Sequence, residues 1–521
     1  MKFLKAVTTV GFFTLLSRVF GFARDILIAS VLGAGGVADA FFLALRLPNL
    51  FRRLFAEGAL AAAFVPIFSN ILELNGRDQA RAFAEQIFSV LILILAFFVA
   101  FIELVMPWVM IGLAPGFAGV PGKMELATEM SRIAFPYILF ISLVAMQSGI
   151  LNALGRFAAA AAAPILFNFV LIISLLGFSD HLKTPGHVLS WGVFLAGLIQ
   201  FFWLAWNCKK IGFPIQFHWP KLTEKVKLLG ARILPVVFGS SLYQINLLIG
   251  TILATLVADG AVSYLYYADR VTQLPLGVVG VAVGTALLPM LSQQLAAGDD
   301  VAAANSQNRG LEFSFLLVLP ASAALLVIAQ PVITVLFERG AFGPGQANAT
   351  ADALKAYATG LPAYVLIRVL SPGFFAREDT KTPVQLAAVA MGTNVVLNLI
   401  FMQKWGYVGL ALASSFAAWV NVFRLAIVLR RRGQLPIDKR LRRRLPRIVL
   451  ASFGMAIGLV LLEREMLEIY DAPDLEQVSS LALMIGLGLF IYCCLVHVFG
   501  AARWQDFKVL SRRIGSNHCK P

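Results

Sequence analysis

Ser17-Arg18-Val19-Phe20-Gly21-Phe22-Ala23-Arg24-Asp25 and Asp39-Ala40-Phe41-Phe42-Leu43-Ala44-Leu45-Arg46-Leu47-Pro48-Asn49-Leu50-Phe51-Arg52-Arg53-Leu54-Phe55-Ala56-Glu57 fall in two consecutive segments that are otherwise apolar enough to span a membrane. Eight ionisable side chains sit there: Arg18, Arg24, Asp25, Asp39, Arg46, Arg52, Arg53 and Glu57. Facing lipid, each would cost roughly 2.5–3.5 kcal/mol, on the order of 20 kcal/mol together. They must line something wet or charged.

The rest of the chain agrees that the solvent is a bilayer. Of 521 residues, 59% are hydrophobic and 14% charged, with a mean hydropathy of +0.81, which excludes a soluble globular domain. Lys2 and Lys5 before an apolar run imitate a signal peptide, but no small-x-small cleavage site follows, so the segment reads as a retained first span. Stretches able to cross about 30 Å of hydrocarbon lie near 6–33, 37–68, 83–110, 127–152, 158–178, 188–208, 228–258, 261–290, 311–337, 348–372, 384–403, 408–429, 447–464 and 478–499. The expected fold is therefore an all-α polytopic membrane protein with 14 transmembrane helices.

Most of the 43 lysines and arginines fall on one set of loops and both ends, and six fall on the other side: Lys123, Lys183, Arg339, Lys355, Lys404 and Arg464. By the positive-inside rule the basic loops and both termini are cytoplasmic. Basic loops without aromatic interleaving in a soluble domain argue for anionic lipid and against nucleic acid.

An internal repeat organises the spans. Arg46 and Pro66 recur as Arg270 and Pro289, and Pro136 and Asn168 recur as Pro362 and Asn394. Two pseudo-symmetric six-helix lobes, 1–210 and 225–432, are expected as parallel repeats, followed by two further helices at 446–500 and a cytoplasmic tail at 501–521. In such folds a substrate site is expected between lobes near the midplane. Pro275 with Gly277, Gly280 and Gly284 is the most hinge-like set, although the same spacing suits close helix packing.

Helical spacing orders the charges. Asp39, Arg46 and Arg53 are seven apart and share a face, and Glu57 lies four after Arg53, a favourable pairing distance. Arg18 and Asp25 are also seven apart, whereas the adjacent Arg24 and Asp25 diverge. Five arginines face three acids here, an excess that suits a phosphate or pyrophosphate, which guanidinium forks bind well. An internal salt-bridge network is the competing reading. Asp269 and Arg270 bring a second charged pair from the later half.

Absent motifs narrow the chemistry. There is no GxxxxGK[ST] run, no His-Glu-x-x-His and no Gly-x-Ser-x-Gly, and neither the five histidines nor the four cysteines show metal-ligand spacing. No enzyme, cofactor or metal site is expected, and the membrane potential is the candidate energy source in place of ATP.

The two opening stretches, with Tyr266-Tyr267-Ala268-Asp269-Arg270 and Pro372-Gly373-Phe374-Phe375-Ala376-Arg377-Glu378-Asp379-Thr380-Lys381-Thr382-Pro383, closely resemble the MurJ (MviN) lipid II flippases of the multidrug/oligosaccharidyl-lipid/polysaccharide exporter superfamily. The resemblance covers nearly the whole chain. It implies transport of undecaprenyl-pyrophosphoryl-MurNAc(pentapeptide)-GlcNAc across the inner membrane by alternating access around a cationic cavity. It further implies that Arg18, Arg24, Arg52 and Arg270 contact the pyrophosphate, with Asp25, Asp39, Asn49, Arg53, Glu57 and Asp269 in supporting or gating roles. The helices at 446–500 would hold the polyprenyl tail, and cell-wall synthases are candidate partners. Rival readings are a flippase for another polyprenyl-linked oligosaccharide, a cation-coupled drug exporter, which should show an acid-dominated cavity, and a non-transporting cell-wall scaffold.

Overall fold

The computed structural model describes residues 2–53, 60–220, 223–465 and 474–501. Every regular element among them is helical. In hydrocarbon a chain must satisfy its backbone N–H and C=O groups internally, and a helix does so within one segment. Against the fourteen spans expected, nine helices among the described residues are long and apolar enough to cross a membrane, and a shorter apolar helix covers Gln244–Thr255.

The chain divides into two compact units, Met1–Tyr266 with Arg339–Gly343, and Tyr267–Glu338 with Pro344–Pro521. The first contains α1 (Lys2–Leu32), α2 (Gly36–Phe51), α3 (Ala61–Leu113), a 3-10 turn at Pro115–Gly119, α4 (Lys123–Ala134), α5 (Tyr137–Ala153), α6 (Phe157–Phe178), α7 (Pro185–Lys210) and α8 (Glu224–Thr255). Helix α1 packs on α6, α6 and α5 on α7, and α2 on α4. Helix α3 is interrupted at Gly76, whose φ of 82° lies outside the helical region. Phe64 and Phe83, stacked 5.8 Å apart on either side of that break, show that the chain doubles back there. Thus α3 carries the end of one expected span and the whole of the next. Beyond the break, Ile94, Phe97, Phe101, Leu104 and Trp108 form an exposed apolar stripe at helical spacing, the mark of a lipid face.

The second unit continues from α9 (Ala261–Pro275), whose first residues belong to the first unit, through a π turn at Leu276–Gly280 into α10 (Val281–Ala296). There follow α11 (Asp300–Val327), α12 (Ala329–Phe337), α13 (Pro344–Ala358), α14 (Leu361–Leu370), the short α15 (Pro372–Phe375), α16 (Lys381–Arg431), α17 (Lys439–Glu465) and α18 (Asp474–Val498). Proline and glycine at 275–284 produce the π turn, and Gly280 also leaves room for Arg368: a Cβ there would lie 2.9 Å from the arginine Cδ. Helix α16 reverses at Gly406 (φ 57°, ψ −134°). Its two ends consequently meet: Asp379 accepts from Thr382 N (2.9 Å) and Thr382 Oγ1 (2.6 Å), capping the start, while Arg432 just beyond the end donates to the same carboxylate at 2.7 Å. The motif at 372–383 therefore works as a clasp on this hairpin. Its hydrogen bonds to Arg432 and Thr382 hold the Asp379 carboxyl well below the usual carboxylate range.

Candidate functional site: a charged constellation on the first two helices

Each charge on α1 and α2 has an environment that can be traced to its partners. Arg24 and Asp25 are both buried. The guanidinium bends back onto its neighbour, with Nη2 and Nε donating to Asp25 Oδ1 at 2.7 and 3.1 Å, and its Nη1 donates to Asn168 Oδ1 of α6 at 2.9 Å. Helical spacing disfavours such a pairing, because adjacent positions diverge by about 100°. Arginine's length closes the gap, and the Arg18–Asp25 pairing that seven-residue spacing suggests is replaced by it. Asn168 also donates to Ser17 O at 3.0 Å, locking α6 to α1, and Arg24 lies 5.7 Å from the Phe167 ring centroid. Tyr266 donates to Asp25 Oδ1 at 3.2 Å while its ring stacks on Phe42 at 3.9 Å.

Asp39 is wholly buried, and its carboxylate is filled by donors. Lys123 Nζ (2.8 Å) and Gly260 N (2.8 Å) reach Oδ2, while Ser263 N (2.9 Å) and Ser263 Oγ (2.6 Å) reach Oδ1. A carboxylate at the N-terminus of α9 satisfies backbone donors that a helix leaves unpaired. Lys123 also contacts Asp259 Oδ1 at 2.5 Å and lies 4.1 Å from the Phe117 ring centroid. One carboxylate thus ties together α2, the start of α4 and the start of α9.

The remaining positions are more open. Arg18 and Arg53 are exposed, and Arg46, Asn49 and Arg52 are half-buried. Arg52 sits in a π-helical turn at the end of α2, where its Nε donates to Asn49 Oδ1 at 3.1 Å. That turn follows Pro48 and breaks the strict spacing of Asp39, Arg46 and Arg53, so a buried acid and an exposed arginine occupy one nominal stripe. Glu57, expected opposite Arg53, lies outside the described residues. In the second unit Asp269 and Arg270 are both half-buried on α9, and both reach Gln273, at 2.5 and 3.5 Å.

With Asp25 held by Arg24 and Asp39 by Lys123, no described carboxylate stands within ion-pair reach of Arg18. Chemically this is an anion-attracting surface. Sequence spacing missed Lys123, Asp259, Ser263 and Asn168; the signal that could have pointed to Lys123 was Asp39 itself, an acid in an apolar segment with no base three or four residues away.

The fold defines a class. A multidrug resistance MATE family transporter of the MOP superfamily, solved in an inward-facing conformation, is similar with a TM-score of 0.65 over 80% of this chain and 94% of that one, at 15% identity, so the architecture is that of these membrane transporters. A structure described as lipid II flippase MurJ in an inward closed conformation is nearer, with a TM-score of 0.79, 26% identity and coverage of 96% and 99%. The profile of the lipid II flippase MurJ family matches residues 28–472, and a probable lipid II flippase MurJ of Rhizobium meliloti (strain 1021) is 46% identical over 466 residues, 88% of this chain and 86% of its relative. This chain belongs to the MurJ lipid II flippase family, a family of multi-pass membrane transporters and not of enzymes.

Proposed function

We propose that this protein translocates lipid II, the polyprenyl-pyrophosphate-linked peptidoglycan precursor, from the cytoplasmic to the periplasmic leaflet of the inner membrane by alternating access. The observation that carries this reading is the match, over nearly the full chain, to relatives named for that activity. The charge pattern supports it: the acids of α1 and α2 are already paired, so the arginine excess suits a diphosphate supplied by the substrate. In this reading Arg18, Arg24, Arg52 and Arg270 bind the pyrophosphate. Residues 1–210 and 225–432 act as the two repeats, 446–500 holds the lipid tail, and both termini are cytoplasmic.

The test is depletion with complementation, scoring lipid II exposed at the outer face. Arg18→Gln, Arg24→Ala and Arg52→Ala at normal membrane abundance are each expected to lose most of the flipping. Arg18 is the informative position, because an exposed side chain with no described ion pair can be neutralised without unfolding the helix. Normal flipping by all three variants would remove the site assignment.

A further inference from the structure

Residues 430–447, which join α16 to α17, carry nine lysines and arginines against one acid, Asp438. Two further acids reach this stretch from elsewhere, and their partners are specific. The buried Glu312 of α11 accepts from Arg440 Nη2 at 3.0 Å and Arg444 Nη1 at 2.5 Å, and also pairs with Arg309. Asp438 pairs with Arg309 as well, and Asp379 is taken by Arg432. Arg430 and Arg442 belong to none of these pairs; both are exposed, and both line one cavity of about 640 Å³ together with Gly433, Leu435, Pro436 and Ile437. That volume is within the roughly 300–1,000 Å³ usual for a ligand site. Asn308 donates to Pro436 O at 2.7 Å and so ties the lining loop to α11.

Exposed apolar side chains continue from the cavity along both helices. On α16, exposed Phe423 and Ile427 precede Arg430 by seven and three residues, the same helical face; on α17, exposed Val449, Leu450 and Phe453 follow Arg442 by seven, eight and eleven. Two guanidiniums thus stand at the polar ends of two apolar stripes. We propose that this cavity is a headgroup site for an anionic glycerophospholipid, with the phosphodiester between Arg430 and Arg442 and the acyl chains along those stripes. A phosphodiester supplies the anion that guanidinium forks bind, and basic pockets between membrane helices are suited to anionic headgroups.

Native mass spectrometry of the purified full-length protein with phosphatidylglycerol or phosphatidylethanolamine tests this. Arg430→Gln/Arg442→Gln is expected to weaken phosphatidylglycerol binding about thirtyfold, from about 1 kcal/mol per basic residue. Arg431→Gln/Arg443→Gln, which removes the same charge outside the cavity lining, is expected to weaken it far less, because neither side chain lines the cavity. Phosphatidylethanolamine binds weakly to all forms, and excess soluble glycerol 3-phosphate leaves the bound lipid in place. Should the double variant fail to purify, Arg442→Gln alone is expected to lose about fivefold. Equal losses in the two double variants, unchanged binding in the cavity variants, or displacement by glycerol 3-phosphate would overturn the proposal, the last by marking a site for free phosphate.

Discussion

Asp39 shows how one residue in an apolar helix can be structural and charged at once. Its four donors come from Lys123, Gly260 and Ser263, and they offset part of the cost of burying the charge. Removing one partner of such a buried pair leaves the other uncompensated, at a typical cost of about 3–5 kcal/mol. Asp39→Ala and Lys123→Ala are therefore each expected to destabilise the protein by about 3 kcal/mol, and the double variant by clearly less than their sum. Thermal unfolding of the purified proteins measures the cycle, and strict additivity would mean the two groups do not act as a pair. Arg24 belongs to the same category, since Asn168 and Asp25 orient its guanidinium from two sides.

Among the elements, α16 is the most informative, because its long helical run turns back on itself at Gly406 and the resulting hairpin is closed by the Asp379 clasp. The carboxyl's native pKa is depressed by Arg432 and Thr382, so the unfolded chain takes up the proton first as pH falls. The clasp's contribution is hence complete above the unfolded value of about 4 and declines as pH drops through the lower native value. Melts of the wild type and Asp379→Asn are expected to differ by a constant amount from neutral pH to about pH 4 and to converge below it. Convergence already near pH 6 would contradict the clasp. The neighbouring element, α17, is held at its start by a different carboxylate, Glu312.

For the molecule as a whole, the charge inventory bears on energy supply. A net charge of +15, arginines within the apolar segments and the absence of a Walker-type phosphate loop suit a cationic site whose return is driven by the membrane potential. One charge moved through 100 mV is worth about 2.3 kcal/mol. Collapsing the potential in proteoliposomes is expected to slow lipid II flipping severalfold while leaving substrate binding intact. An unchanged rate would rule this driving force out.

Composition and apolar run length alone determined that the chain is a helical membrane protein and roughly where its helices lie, because the bilayer imposes both a length and internal hydrogen bonding on every span. Charge counting also gave the stretch an arginine excess, five against three acids. Only the tertiary structure decided which charges meet. Asp39 finds Lys123, 84 residues away, and Arg24 finds Asn168, 144 away. Spacing along a helix specifies neighbours three, four or seven residues apart and says nothing of which other helix packs alongside. For the same reason the stretch Arg18 to Glu57 declared its need for partners in the sequence, while packing of α2 against α4 and of α1 against α6 chose them.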